Sequence, residues 1–391
     1  MSVQVARLGD IVDDLRSGFA CGVDDPDGVI QFRMNNVERD GTLNWTKTRR
    51  VPQSMVKNGL TLQDADILLN ATNSPDLVGK TALFGGADEP ITFSNHFLRL
   101  RTKTEIADPA YVSRWLRRQF ELGNFKAMCR SWVNQASITR DQVSNLKIPL
   151  PPLDEQKRIA AILDKADQLR QKRRQAIALL DSLTQSIFVD MFGRADPAYP
   201  TVKLSEITHR ITDGVHQKPT YTESGIPFIS VKDITTGKLI FDACKFISEE
   251  DHKKYTKRCK PEKGDILYTK VGATYGRPAI IDTDVGFSIY VSVALIKPNH
   301  SRIRPKFLKT LMATDLVRQQ ANRCIKGIGV PDLHLDQIQS FQVPLPPMAE
   351  QVEFEKIVDN LELHSSLCSR SLQELDATFS SLQHRAFSGQ L

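Results

Sequence analysis

Ile148-Pro149-Leu150-Pro151-Pro152-Leu153-Asp154-Glu155-Gln156 and Val343-Pro344-Leu345-Pro346-Pro347-Met348-Ala349-Glu350-Gln351 are one phrase written twice, 195 residues apart. Proline fixes φ and removes a backbone donor, so a Pro-Leu-Pro-Pro run stops the strand or loop before it and enforces an extended entry into the next element. A helical pattern comes after both copies. After the first, Ile159, Ile162, Ala166, Leu169, Arg173, Ala176, Leu180, Leu183 and Ile187 recur at alternating steps of 3 and 4. That is a heptad seam with one charged intruder, Arg173. After the second, the seam runs Phe354, Ile357, Leu361, His364, Cys368, Leu372, Leu375, Phe379, Leu382 and Ala386, and two steps of 4 meet at Cys368. Such a four-residue insertion is a stutter, and it predicts a second helix one turn longer than the first. Helices of about 35 residues are roughly 50 Å long. Neither seam is stable facing water, so the two helices are expected to pair with each other, antiparallel if the repeat is a pseudo-two-fold. Pairing between chains is the alternative.

Working outward, further landmarks repeat at nearly the same offset. Leu8 aligns with Leu204, Asp66-Ile67-Leu68 with Asp265-Ile266-Leu267, Gly79-Lys80 with Gly276-Arg277, and Asp108-Pro109 with Arg304-Pro305. A period of nearly 200 residues is too long for a solenoid and describes whole domains. The expected fold is α+β: tandem duplicated, mixed α/β domains at 1–148 and 193–343, separated by long helices at 149–192 and 344–391 that form an antiparallel coiled coil. Short apolar runs at Ile91-Thr92-Phe93, Ile226 to Val231, Ile266-Leu267-Tyr268 and Ile289 to Ile296 read as strands. Helices are expected at Ala110–Phe120 and Pro305–Gln320.

The formal charge of +6 is mildly basic, and it is unevenly placed. Residues 193–343 hold 23 Lys+Arg against 16 Asp+Glu, whereas residues 344–391 hold 3 against 7. A polyanion surface therefore suits the second large segment, and the acidic tail suits protein contacts. The six cysteines show no CxxC spacing, which fits free thiols in a reducing compartment and no zinc site. No apolar run approaches 18 residues and the first residues resemble no export signal, so a cytoplasmic protein with no membrane span is expected. Val78-Gly79-Lys80-Thr81 mimics the end of a phosphate loop, but Ser74 stands where its first glycine belongs. GxGxxG, GxSxG and HExxH are absent. No catalytic group, metal or cofactor is expected. The alternative to a nucleic-acid role is a helical protein–protein scaffold.

The two Pro149–Gln156 and Pro344–Gln351 motifs, the helix ends Leu179 to Phe188 and Phe379 to Phe387, and Gly264-Asp265-Ile266-Leu267 followed by Val271-Gly272-Ala273-Thr274-Tyr275-Gly276-Arg277 carry a family likeness across the whole chain. The chain resembles the specificity subunits of type I restriction–modification systems. The resemblance implies two target-recognition domains, each reading one half of an interrupted site in double-stranded DNA. It implies helices that set the gap and dock two methyltransferase subunits, with restriction/translocase subunits joining in the full complex. It also implies a chain with no methylation or cleavage activity of its own. The first domain departs from the pattern, with Asp64 to Ser74 lacking the glycine-rich form of the second.

Base reading needs forked donors such as Arg, Lys, Asn and Gln, and phosphate positioning needs cations and hydroxyls. In the second domain these criteria select Lys218, Lys232, Lys270, Thr274, Tyr275, Arg277, Arg323 and Lys326. In the first they select Lys47, Arg49, Arg50, Asn73 and Lys80, with Arg130 as a further candidate. The run Lys253 to Arg258 is basic enough to steer DNA by charge.

Overall fold

The computed structural model describes residues 4–132, 135–193, 199–325 and 329–391, with residues 130–132 and 135 described by their backbone alone. Two continuous helices, Leu153–Phe192 and Met348–Phe387, start just after the repeated prolines. Both have 40 residues, so the expected extra turn is absent. The stutter at Cys368 instead moves the apolar stripe around a helix of unchanged length, because a four-residue step overshoots the seam.

The chain divides into two compact units, residues 1–173 with 371–391 and residues 174–370. Both helices contribute to both units. In unit one, Arg158 reaches the Leu391 carbonyl at 2.9 Å and Arg170 reaches Asp376 at 2.6 Å, one number rising as the other falls. The helix segments inside this unit are therefore antiparallel. In unit two, the end of the first helix meets the start of the second, with Phe188 and Phe192 ring centroids 5.4 and 5.7 Å from that of Phe354.

Most of the expected seam is buried or half-buried, but Leu169 and Leu183 are 50% and 42% exposed and His364 is exposed as well. Off the seam, Ala160, Leu163, Phe188, Phe192 and Val358 are buried. A strict seam presumes one apolar neighbour. Each helix end here also packs on globular residues of its unit, which requires a wider stripe: Ile159, Ala160 and Leu163 share a core with Tyr111, Val112 and Leu116.

The globular parts are built alike. Unit one has a four-stranded antiparallel sheet in the order Val12–Ser17, Phe97–Thr102, Ile67–Asn70, Thr81–Leu83. Beside it lies a three-stranded sheet in the order Arg49–Val51, Val29–Phe32, Ile91–Phe93, whose last pair is parallel. Unit two repeats both, as Thr208–Asp213, Val293–Pro298, Ile266–Thr269, Pro278–Ile280 and as Lys245–Ile247, Ile226–Ile229, Ser288–Ile289. Alternation along a strand places successive side chains on opposite faces. Ile67 and Leu69 accordingly join the core beneath the helices while Leu68 joins the core between the sheets. Ile266 and Tyr268 on one side and Leu267 on the other repeat the division. The helix expected at Ala110–Phe120 is Pro109–Glu121, and the one expected at Pro305–Gln320 is two, Pro305–Met312 and Asp315–Cys324.

Candidate nucleic-acid interface

The repeated motif holds each globular part on its helix. Gln156 is fully buried, accepts the Asp108 N–H at 2.9 Å, and donates to the carbonyls of Ile106 at 2.9 Å and Pro151 at 2.8 Å. Gln351 makes the same set with Arg304 N–H at 2.9 Å, Arg302 O at 3.2 Å and Pro346 O at 2.9 Å. A side-chain amide has the two donors and one acceptor that this task needs. The residues just before each motif form a short strand back to the start of their own segment, Lys147–Pro149 with Val5–Arg7 and Gln342–Pro344 with Thr201–Lys203.

With the sheets anchored at the helices, a set of loops converges at one sheet end of each unit. In unit two the loop after Ile266–Thr269 carries Lys270, Thr274, Tyr275 and Arg277. Gly272 and Gly276 adopt positive φ of 95° and 81°, and the Gly276 N–H donates to Thr269 O at 2.8 Å. Thr269 holds the turn further, donating through Oγ1 to Thr274 O at 2.7 Å and accepting the Arg277 N–H at 2.8 Å. Thr274 and Arg277 are left exposed. Tyr275 Oη donates to Asn322 at 2.6 Å, which brings the neighbouring exposed Arg323 to the same loop. Lys270 is buried, with its Nζ 3.6 Å from both Asp213 and Asp332. Asp213 also accepts from Arg258 at 2.6 Å and lies 3.3 Å from His216 Nε2, two residues before exposed Lys218. The loop end thus gathers Lys218, Lys270, Thr274, Tyr275 and Arg323, and it adds Arg258 from the basic run. Lys232 stands apart, exposed and donating to the Ala243 carbonyl. Lys326 lies outside the described residues.

Unit one has the same backbone with different tenants. The Asn70 N–H donates to Lys80 O and Gly79 N–H to Asn70 O, both at 2.8 Å, just as Thr269 N–H donates to Arg277 O at 3.0 Å and Gly276 N–H to Thr269 O at 2.8 Å. The aligned Gly79-Lys80 and Gly276-Arg277 are therefore equivalent in space. Their side chains are not. Lys80 is buried and donates to the Met34 carbonyl at 3.1 Å and to that of Val37, so its ammonium is withheld from an external phosphate. Burial pushes its pKa down.

Asn73 is half-buried and bonds locally to Asn70 at 3.4 Å and to Ser74 N–H at 2.8 Å. Arg49 pairs with Asp24 and donates to Cys21 O at 2.8 Å, while Arg50 forks onto Glu89 at 2.7 and 2.8 Å. Among the described first-domain candidates, Lys47 alone is a freely exposed cation. The Arg130 side chain is outside the described residues.

Sequence reasoning missed the network behind this surface in unit one. Asp167 is 1% exposed and accepts from Arg114, Arg117 and Arg170 at 2.7, 2.7 and 2.9 Å. Burial opposes its charge, but the hydrogen bonds and charge of Arg117 and Arg114 outweigh it and hold the carboxyl below its ordinary value. In the same register of the second helix, Asp359 and Glu362 instead take Lys306. No spacing in the sequence singles out these arginines, because Arg114 and Arg117 lie about 50 residues from their partner.

Among the described residues, no group of His, Cys, Asp and Glu is arranged to hold a metal ion, and no helix is long and apolar enough to cross a membrane. Residues 31–179 and 199–377 match the type I restriction modification DNA specificity domain. A putative type I restriction enzyme MjaX specificity subunit of Methanocaldococcus jannaschii is 31% identical over 209 residues, 52% of this chain and 48% of the relative. The EcoBI specificity subunit of Escherichia coli is 28% identical over 296 residues, 66% of this chain and 62% of the relative. The chain thus spans about half to just under two thirds of the length of these two relatives. The MjaVIII specificity subunit of Methanocaldococcus jannaschii is 22% identical over 92% of this chain and 86% of its own. Among solved structures, a chain from work on complex assembly and conformational transition of the type I R-M system has a TM-score of 0.60 at 18% identity, covering 100% of both chains. The type I restriction-modification S subunit from M. genitalium has a TM-score of 0.57 at 16% identity, covering 99% of this chain and 96% of its own. At such identities these two similarities concern the fold.

Proposed function

The chain belongs to the type I restriction modification DNA specificity family, and from that membership we propose that it is the non-catalytic, sequence-specific DNA-binding subunit of a type I restriction–modification enzyme. In this reading the domains at 1–148 and 193–343 each read one half of a bipartite site. The helices at 149–192 and 344–391 dock two methyltransferase subunits and fix the interval between the half-sites, and restriction/translocase subunits complete the assembly. The observation that carries the reading is a pair of loop ends on one repeated backbone that bear different side chains, Lys80 against Arg277. A common frame with unlike reading surfaces suits two unlike half-sites. The exposed cations Lys218, Arg258, Arg277 and Arg323 supply phosphate contacts in unit two.

The test is selection from a library of random duplex DNA by the full chain assembled with its methyltransferase subunits. Recovery of a two-part motif with a constant gap is expected, with affinity that falls as salt rises. Recovery of one contiguous motif overturns the bipartite reading. Absence of any salt-dependent DNA binding in the assembly favours the protein scaffold instead.

A further inference from the structure

Among the described residues, five side-chain atoms are shielded from solvent without a hydrogen-bond partner, and three of them share the loop end of unit one: Arg33 Nε, Ser94 Oγ and His96 Nδ1. Unpaired buried polar atoms are costly and scarce in native proteins, so such a concentration demands a cause.

Topology brings the three together. Phe32 and Phe93 are partners on parallel strands, and the Ser94 N–H donates to Phe32 O at 2.9 Å. Arg33 and Ser94 are therefore the next residues along adjoining strands. Two residues further, the His96 carbonyl accepts the N–H groups of Ala71 and Thr72 at 2.8 and 3.2 Å, which ties in the loop after Asn70. Asn70 in turn donates from its side chain to Met34 O at 3.1 Å.

The backbone at Arg33 is fixed while its side chain is not engaged. Its N–H donates to Asn36 Oδ1 at 2.8 Å and its carbonyl accepts the Asn36 N–H at 2.8 Å. Asn36 is fully buried and donates to Asn44 O at 2.8 Å. Arg33 is partly buried, with its Nε shielded and with no ion pair among the described residues, in contrast to Arg49 and Arg50, which Asp24 and Glu89 neutralise. At the equivalent positions of unit two stand Ser230 and Tyr290. The Tyr290 N–H donates to Ile229 O at 2.9 Å, and the Ser230 hydroxyl is taken by Asp233 at 2.9 Å. The unpaired group is thus private to unit one.

We propose that Arg33, Ser94 and His96 are the base-reading group of unit one, with the Arg33 guanidinium forking onto a guanine edge in the major groove. A guanidinium presents two parallel donors that match guanine O6 and N7, and the partly exposed His96 imidazole supplies a partner for an adjoining base edge, while the shielded Ser94 hydroxyl lies behind them. Side chains without an internal hydrogen bond turn to a base without breaking one. The inference rests on the reading of the chain as a DNA-specificity subunit and names where unit one reads.

The experiment repeats the duplex selection with the assembled enzyme carrying Arg33→Ala, Arg33→Lys or His96→Ala, beside the wild type. Arg33→Ala and Arg33→Lys are each expected to lose roughly 10- to 100-fold discrimination at a guanine in one half-site. Arg33→Lys keeps the charge and loses the fork. His96→Ala is expected to relax a neighbouring position of the same half-site. The other half-site and the thermal unfolding midpoint should not move. Unchanged preference in both halves for the Arg33 variants overturns the assignment while the bipartite function stands. A uniform fall in affinity across all sequences, with a shallower salt slope, also overturns it by making Arg33 a phosphate contact. A wild-type assembly that selects no bipartite sequence defeats the underlying function instead.

Discussion

The loop ending at Lys80 in unit one and the loop ending at Arg277 in unit two rejoin their sheets through the same backbone hydrogen bonds, yet one cation is buried and the other exposed. The difference comes from neighbours. Lys80 meets the carbonyls of Met34 and Val37, which give an ammonium partners away from water. Arg277 has no such partner among the described residues, and its guanidinium stays in solvent. The helix clamps differ in the same sense. Asp167 is buried among three arginines, while Asp359 and Glu362, in matching helix positions, are 61% and 52% exposed on Lys306. At these two paired places unit one turns its charges inward and unit two leaves them at the surface. One backbone therefore supports two electrostatic surfaces, which is what a reader of two different sequences requires.

The clamps give the largest expected contrast. Asp167→Ala removes the buried carboxylate shared by three arginines, which keep only the more exposed Asp164, Glu121 and Asp376, and removing one member of a buried ion cluster costs about 3 kcal/mol. Lys306→Met breaks only solvent-screened pairs and should cost less than about 1 kcal/mol. Chemical denaturation of the two variants measures both, and equal losses would remove the distinction between the units. The acid limb carries the same signature. The Asp167 carboxyl is held below its unfolded-state value of about 4. Its contribution is therefore complete above about pH 4 and is lost as pH falls through the lower folded value. Asp167→Asn should flatten that part of the stability profile.

Next come the glycines of the paired loops. Both need positive φ, 90° at Gly79 and 81° at Gly276. A Cβ on Gly79 would run into the Phe125 ring, whereas on Gly276 the nearest atom is Tyr268 Oη at 3.5 Å. Gly276→Ala should cost about 1 kcal/mol from backbone conformation alone. Gly79→Ala should cost about 3 kcal/mol once the clash is added, and thermal melts of the two variants provide the comparison. For Lys80→Met, the carbonyls it served are left unpaired and stability should fall by about 1–2 kcal/mol. Its salt slope for DNA binding should match the wild type. The smallest effect is expected for Arg277→Ala, with no change in melting and a salt slope shallower by about 0.9. A salt-slope change at Lys80 and none at Arg277 would reverse the proposed division between inward and outward cations.

Much of this frame is legible along the chain. The Gln156 and Gln351 repeat is visible as letters, and its meaning as a three-bond clamp agrees with its recurrence beside Asp108-Pro109 and Arg304-Pro305. The equivalence of Gly79-Lys80 with Gly276-Arg277 is likewise readable from offset alone. Arg33, Ser94 and His96 give no such signal. They match no motif, share no spacing, and become a group only because Val29–Phe32 and Ile91–Phe93 pair in parallel. The exposure of Leu169 and Leu183 is equally hidden, since periodicity reports one apolar stripe and not how many surfaces a helix must satisfy.

Periodicity, repetition and composition establish the doubled domain, the start of each long helix after its prolines, and a positive charge concentrated in residues 193–343. These are local properties, set by backbone stereochemistry and by hydrophobic spacing within a few turns of chain. Tertiary structure alone decides which polar side chains are spent inside and which remain for a ligand. Lys80 is satisfied by carbonyls more than 40 residues earlier, and Asp167 by Arg114 and Arg117 about 50 residues earlier. The desolvation that makes such partners obligatory exists only once the sheets and helices have closed around them.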